Sequence, residues 1–343
     1  MIRKVCVLLF ALALWQGAFS KPAGAQAGSN CVWQFGLGSW EGIPFGWYDC
    51  NDVGYEAAVS CYVQAYLCAP VAGPAENPHK QCATPTNPVC SSPISLLTGD
   101  TYIEETDIRI PGLSGGLTLQ RTWNSMWPAT QTAYQIGPFG PNWTSNFGEQ
   151  IFLGADHYIK YERGDGSFWS FGYSSYDTWR VAAPANNTAT LVQGSSNWTL
   201  TFPNGEQRIF SIATGKLLEI IDRNGNTTQL SYDSSNRLIT VTDPASRHLY
   251  FSYGSSTYLV ATVTSDFGES VSYSYDSQGR LSQVTEPDGS TLSFQYDANS
   301  FISAVLDSNG KILEAHTYDS SGRGLTASRA NGVDAVTLSY GTD

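Results

Sequence analysis

The 343-residue chain carries 30 acidic against 18 basic residues, a net charge of −12. That balance excludes a nucleic-acid partner, which needs a basic face, and works against anionic membrane surfaces. Few charges among many Gly, Ser, Thr, Tyr and Trp residues is the composition of an exported β protein.

Residues 1–27 read as a secretory signal peptide. Arg3 and Lys4 precede an apolar run from Val5 to Trp15, and small residues follow at Ala23, Ala25 and Ala27. That run is too short to span a bilayer, so no membrane insertion is expected once it is removed.

Residues 28–86 form a Cys-rich module. Beyond Cys6 the cysteines are Cys31, Cys50, Cys61, Cys68, Cys82 and Cys90, and none follows. An even set in an exported chain predicts three disulfides, with fifteen possible connectivities. A zinc site lacks the paired short Cys spacings it would need. The spacing of Ala57, Cys61, Ala65 and Cys68 predicts a short helix over about 54–68. The Pro-rich stretch 69–88 is expected to be irregular. Trp33, Trp40 and Trp47 recur by sevens in a segment with little core to enter, and are expected to form a contact surface for a partner or a sugar.

Residues 87–205 alternate apolar and polar residues, as in "LTLQRTW" and "SFWSFGY", between Gly and Pro breaks. They predict antiparallel strands.

Residues 206–343 repeat. Tyr232, Tyr253, Tyr275, Tyr296, Tyr318 and Tyr340 recur every 21 or 22 residues. Asp233, Asp276, Asp297 and Asp319 follow four of them directly, and Arg237, Arg280 and Arg323 stand five residues after the Tyr. A second turn lies about midway in each period, as in "DRNG", "EPDGS" and "DSNG". Each period therefore predicts one β-hairpin, marginal alone and stable when stacked on its neighbours. In this reading Tyr covers apolar surface with its hydroxyl at a wetter rim. Asp holds the turn, and Arg bridges to a carboxylate or carbonyl of the next repeat.

Tyr-Asp, Gly-Arg-Leu and Pro-Asp-Gly at this period resemble the YD repeat of the Rhs family, whose animal relatives are teneurins. Upstream, Asn87-Pro88-Val89, Thr98-Gly99, Thr106-Asp107, Pro111-Gly112 and Arg121-Thr122-Trp123-Asn124-Ser125 resemble the domain that precedes Rhs repeats. The resemblance implies an Rhs-type N-terminal β domain over 87–205 and a spiral of YD hairpins over 206–343. In many bacterial members such a spiral encloses a C-terminal toxin. No terminal core motif or effector follows here, so no self-cleavage residues carry over.

No catalytic constellation stands out. His79, His157, His248 and His316 sit in no motif, and nucleophile-elbow, zinc-protease and phosphate-loop signatures are absent. No cofactor is expected. Glu162 with Asp165 reads as a hairpin turn, and Glu104 with Glu105 as a solvated strand edge, rather than a glycosidase pair. "DRNGN" and "DSNG" lack the spacing of a calcium loop, so no metal is expected.

The sequence thus predicts an exported, all-β, non-catalytic scaffold or binding protein at the cell surface, part of a contact-dependent toxin system. Its open edge near Ser339 and Tyr340 is expected to take a protein partner or a further YD-repeat chain. The alternative is a secreted carbohydrate-binding protein or polysaccharide-acting glycosidase.

Overall fold

The computed structural model describes residues 31–40, 43–50, 94–95, 98–126, 136–154, 158–175, 178–183, 187–254 and 258–341. The predicted signal peptide, the predicted 54–68 helix and the Pro-rich stretch lie outside them. The chain divides into two compact units, residues 1–71 with 172–179, and residues 72–171 with 180–343.

In the first unit, strands β1 (Cys31–Trp40) and β2 (Ile43–Cys50) form an antiparallel hairpin. The backbones of Cys31 and Cys50 stand opposite each other, as do those of Trp33 and Tyr48, Gln34 and Trp47, and Trp40 and Ile43. Cys61, Cys68, Cys82 and Cys90 lie outside the described residues. The ring of Tyr173 meets Trp179 edge-on at 5.3 Å in the same unit.

The second unit opens with β3 (Tyr102–Ile110) and β4 (Leu117–Asn124), paired antiparallel. A two-residue ribbon of β5 (Ile136–Gly137) and β6 (Gly140–Pro141) follows. Then β7 (Trp143–Ser145) adds to β4, making a three-stranded sheet in the order β3-β4-β7.

A second, long sheet begins at β8 (Gln150–Leu153), β9 (Ile159–Glu162) and β10 (Phe168–Ser175). It continues through β11 (Thr178–Ala183), β12 (Thr190–Gln193), β13 (Asn197–Thr201), β14 (Gln207–Ser211) and β15 (Leu217–Ile221). The repeat hairpins follow as β16 (Thr227–Tyr232), β17 (Leu238–Thr242), β18 (His248–Tyr253), β19 (Val260–Ser265), β20 (Ser270–Tyr275) and β21 (Leu281–Thr285). The last strands are β22 (Thr291–Tyr296), β23 (Ile302–Leu306), β24 (Ile312–Tyr318), β25 (Gly324–Arg329) and β26 (Val333–Thr337). From β12 to β26 each strand pairs antiparallel with the next. The Ile151 N–H donates to the Gly215 carbonyl at 2.8 Å, tying β8 to the approach of β15.

Period-2 alternation gives this sheet one dry face. Leu230, Val241, Leu249, Val263, Val271, Leu281, Val284 and Ile302 are buried, while their strand neighbours point to water. The three-stranded sheet, together with the β5–β6 ribbon, covers that dry face. Trp143 meets Phe294 at 5.3 Å, Phe139 meets Tyr273 at 4.9 Å, and Trp123 meets Tyr318 at 6.2 Å. The short sheet therefore acts as a plug on the inner surface of the hairpins.

The turns explain the repeat's punctuation. Gly225, Gly279, Gly289, Gly310 and Gly322 occupy positive φ at equivalent turn positions, and Asn236, Ser246 and Ser300 take the same conformation without glycine. Each residue donates its N–H to the carbonyl three positions back, closing a tight turn with a bulge.

The open edge differs from the expectation. Residues 339 and 340 belong to no strand; the last strand is β26, registered against β25, and Tyr340 folds back onto Gly324.

Leu281 is fully buried at a hairpin start. Leu281→Ala is expected to lower unfolding stability by about 2–5 kcal/mol in a denaturant titration, because it leaves a cavity between hairpins.

Candidate functional site

The repeated residues come first, because they build the wall on which everything else rests. Tyr232, Tyr253, Tyr275, Tyr296 and Tyr318 each end an ascending strand on its inward side, and Tyr340 follows the last strand. The hydroxyls of Tyr232, Tyr253, Tyr275 and Tyr296 donate to the carbonyls of Leu217, Leu238, Val260 and Leu281, at 2.7–2.8 Å. Tyr318 and Tyr340 do the same to Ile302 and Gly324, at 2.7 and 2.6 Å. Every bond therefore reaches one hairpin back. The wetter rim expected for these hydroxyls is not where they sit: burial pushes those of Tyr232, Tyr253, Tyr275 and Tyr296 well above the usual tyrosine range.

The aspartates hold the turns. Asp233 accepts from the N–H groups of Ser235 and Arg237, and from Arg237 Nε at 2.7 Å. Asp276 with Arg280 and Asp319 with Arg323 repeat this, both with Nε at 2.6 Å. Asp297 caps its turn through Asn299 and Phe301, with no arginine. Bonds from Arg237 hold the Asp233 carboxyl below its usual range, whereas at Asp276 and Asp319 burial pushes upward and the arginine bonds outweigh it. The arginine thus pairs within its own turn rather than with a carboxylate of the next repeat. To the next repeat it offers its flat face: Arg237, Arg280 and Arg323 lie over the rings of Tyr253, Tyr296 and Tyr340, at 4.7, 4.4 and 4.3 Å from the centroids, and Arg280 also donates to the Ser300 hydroxyl at 3.1 Å.

Beneath the plug lies a second constellation. Arg121 on β4 is completely buried and makes a two-pronged ion pair with Asp107 on β3, at 2.5 and 2.7 Å. Tyr273 on β20 donates to the same Asp107 carboxylate at 2.6 Å. The guanidinium also faces the rings of Trp143, Tyr273 and Phe139 at 4.7, 5.4 and 5.7 Å. Burial pulls the guanidinium down, but Asp107 overcomes this and holds Arg121 above its usual value. The pair clamps plug to wall across 166 residues of chain.

Glu105 stands opposite Arg121 in the β3–β4 register. It is not on a solvated edge as the sequence suggested; only Glu104 is exposed. Burial, with Asp107, Glu314 and Glu286 nearby and against the pull of Arg121, raises the Glu105 carboxyl to about 7. Glu286 rises to about 7, through burial and Asp107. At the last full hairpin, Glu314 and His316 occupy inward positions that are apolar in most earlier hairpins. His316 is buried, with its Nε2 3.4 Å from a Glu314 oxygen and no hydrogen bond to either ring nitrogen among the described residues.

A third cluster sits near the start of the long sheet. Tyr161 donates to Glu149 at 2.7 Å, and Arg208 approaches the same carboxylate at 3.3 Å. Glu162 accepts from Gln150 at 2.6 Å, and burial lifts its carboxyl to about 8 despite that bond and Lys216. Asp165, its neighbour in the β9–β10 hairpin, accepts from the Ser167 N–H at 3.0 Å. "DRNGN" and "DSNG" are self-contained turns, in which Asp222 and Asp307 each accept two backbone N–H groups. Trp33, Trp40 and Trp47 lie on the β1–β2 hairpin of the other unit, away from these clusters in the chain.

The inner clusters escaped sequence reasoning, although one signal existed. Glu314 and His316 break the inward apolar pattern of the repeat, and Asp107 and Arg121 were noticed only as motif letters.

Two outcomes follow. Asp107→Asn leaves a buried guanidinium without its charge partner and is expected to cost about 3–5 kcal/mol in chemical denaturation. Glu105, Glu286 and Glu162 all titrate above the ordinary carboxylate value, so the folded chain holds more protons than the unfolded chain between roughly pH 4.5 and 8. Stability therefore falls as pH rises through that window. The melting temperature is expected to be higher at about pH 5.5 than at about pH 8.5, and Glu162→Gln to shrink the difference.

The teneurin YD-shell family matches residues 193–341, and a domain of unknown function, DUF6531, matches residues 91–171. No curated protein matches the chain. Among solved structures, TcdB2-TccC3-TEV is similar over 76% of this chain and 16% of its own, at 12% identity and a TM-score of 0.31. TcdB2-TccC3 is similar over 86% and 18%, at 10% identity and a TM-score of 0.29. The Photorhabdus luminescens Tc holotoxin pore is similar over 65% and 14%, at 13% identity and a TM-score of 0.23. The chain spans less than a fifth of each of these. The tyrosine ladder and its capped turns fill the very residues that the shell family matches, so residues 193–341 form a segment of the YD-repeat type.

Proposed function

We propose that this chain is a non-catalytic, exported scaffold whose hairpin wall is continued by another protein or YD-repeat chain, as part of a toxin-delivery assembly. One observation carries the reading: every signature residue of the repeat is spent on holding hairpin to hairpin. Tyrosine hydroxyls bond backbone carbonyls, aspartates cap turns, and arginines join turn to ring. A wall built this way grows by adding hairpins, and each new hairpin needs an edge to join. The strand β26 is such an edge. It is short, its residues are mostly exposed, and its ladder is with β25. The YD-shell match over residues 193–341 supports the toxin-system setting, since many bacterial YD-repeat proteins enclose a toxin within such walls.

Among the described residues, no helix is long and apolar enough to cross a membrane.

Light scattering of the full chain at rising concentration is expected to show association. Val333→Lys with Ala335→Lys places charge on the edge strand and is expected to abolish it. A strict monomer at high concentration, or association that survives both substitutions, counts against continuation through β26.

A further inference from the structure

A repeat array contains its own control, because a residue needed for the wall recurs in every unit. One unit departs from the others on the outer face. Three positions before the repeated Tyr stand Gln229, Ser272, Ser293 and Ala315, but Tyr250 in the β18 hairpin. Five positions before it stand Thr227, Ser270, Thr291 and Leu313, but His248. The following turn carries Asp266 and Phe267, where the other midway turns have Arg223-Asn224, Pro244-Ala245, Pro287-Asp288 and Ser308-Asn309.

These departures meet in space. Asp266 accepts from the His248 backbone N–H at 2.8 Å, pairs with His248 Nδ1 at 2.8 Å, and accepts from the Tyr250 hydroxyl at 3.1 Å. The two rings lie nearly parallel, 20° apart with centroids at 5.5 Å. Tyr250 remains 43% exposed and Phe267 62% exposed. One carboxylate therefore fixes the half-buried His248 ring and the exposed Tyr250 ring in place, which lowers the ordering cost a ligand would otherwise meet. The neighbouring hairpins pair in register without such rings, so the wall does not require them.

The surroundings narrow the ligand. Outward positions of β17, β19 and β20 carry hydroxyls, including Thr240, Thr242, Thr262, Thr264, Ser270 and Ser272, with no charged side chain among them. The adjacent turn adds Asp266 and Glu269. Arg247, next to His248 in the chain, is engaged by Asp243 at 2.6 Å and by the Pro111 carbonyl at 2.8 Å. Flat rings, hydroxyl donors and acceptors, and a negative rim suit a ligand with C–H faces and many hydroxyls but no negative charge.

We propose that the outer face of the β17–β20 hairpins binds a neutral glycan, stacked on the His248–Tyr250 ring pair and hydrogen-bonded by the surrounding threonine and serine hydroxyls. The site stands apart from the β26 edge and does not depend on it.

The test is electrophoresis of the full chain through native gels containing laminarin, galactomannan, xylan or dextran, with polygalacturonate as the anionic comparison. Retardation by at least one neutral polysaccharide is expected. It should weaken about tenfold in Tyr250→Ala, the scale of one lost stacking contact, and persist in Tyr250→Phe, which keeps the ring. Should Tyr250→Ala fail to fold by circular dichroism, His248→Ala serves as the second variant. The proposal is overturned if no neutral polysaccharide retards the chain, if the ring-deleted variants are retarded as strongly as the original, or if polygalacturonate binds equally well.

Discussion

The fold depends on a bond between each hairpin and the one before it. A tyrosine hydroxyl at the end of one ascending strand reaches the backbone carbonyl that opens the preceding return strand. A lone hairpin has one apolar face and nothing to lay it against. The tyrosine solves both halves of that problem, because its ring adds area to the shared dry face and its hydroxyl satisfies a carbonyl that would otherwise be buried without a partner. The period of 21 or 22 residues is the chain length needed to go out, turn, return and turn again before the next such bond.

The wall alone would still leave its inner face wet. The plug sheet covers it, and the plug is anchored by charge rather than by packing alone. An ion pair stripped of water is expensive to form, so Arg121 and Asp107 persist only because both prongs, a tyrosine hydroxyl and three ring faces surround them. Position is the gain. A leucine pair could slide along the hairpins, whereas a two-pronged pair with a hydroxyl from β20 accepts one register.

Much of this was legible in the sequence. The hairpin unit, its turns and the all-β class followed from the spacing of Tyr, Asp and Gly, because local turn chemistry and period-2 alternation act over a few residues. What could not be read was any contact across layers. Arg237 and its equivalents were expected to bridge to a carboxylate or carbonyl of the next repeat; instead each pairs with the Asp four residues before it, and the next repeat supplies an aromatic face. The tyrosine hydroxyls seemed to need water, yet a carbonyl fifteen or sixteen residues back takes them. Glu105 looked solvated because it neighbours exposed Glu104, but strand alternation turns it toward Arg121. In each case the missing knowledge was the partner brought by packing, not the tendency of the residue itself.

The plug strands precede the wall in the chain. A ribosome releases Asp107 and Arg121 well before Tyr273, and each hairpin emerges only after its predecessor. The buried pair is therefore complete only once β20 has been made, because the Tyr273 hydroxyl on Asp107 comes from 166 residues further along the chain. One contact thus ties the register of the wall to strands laid down long before it.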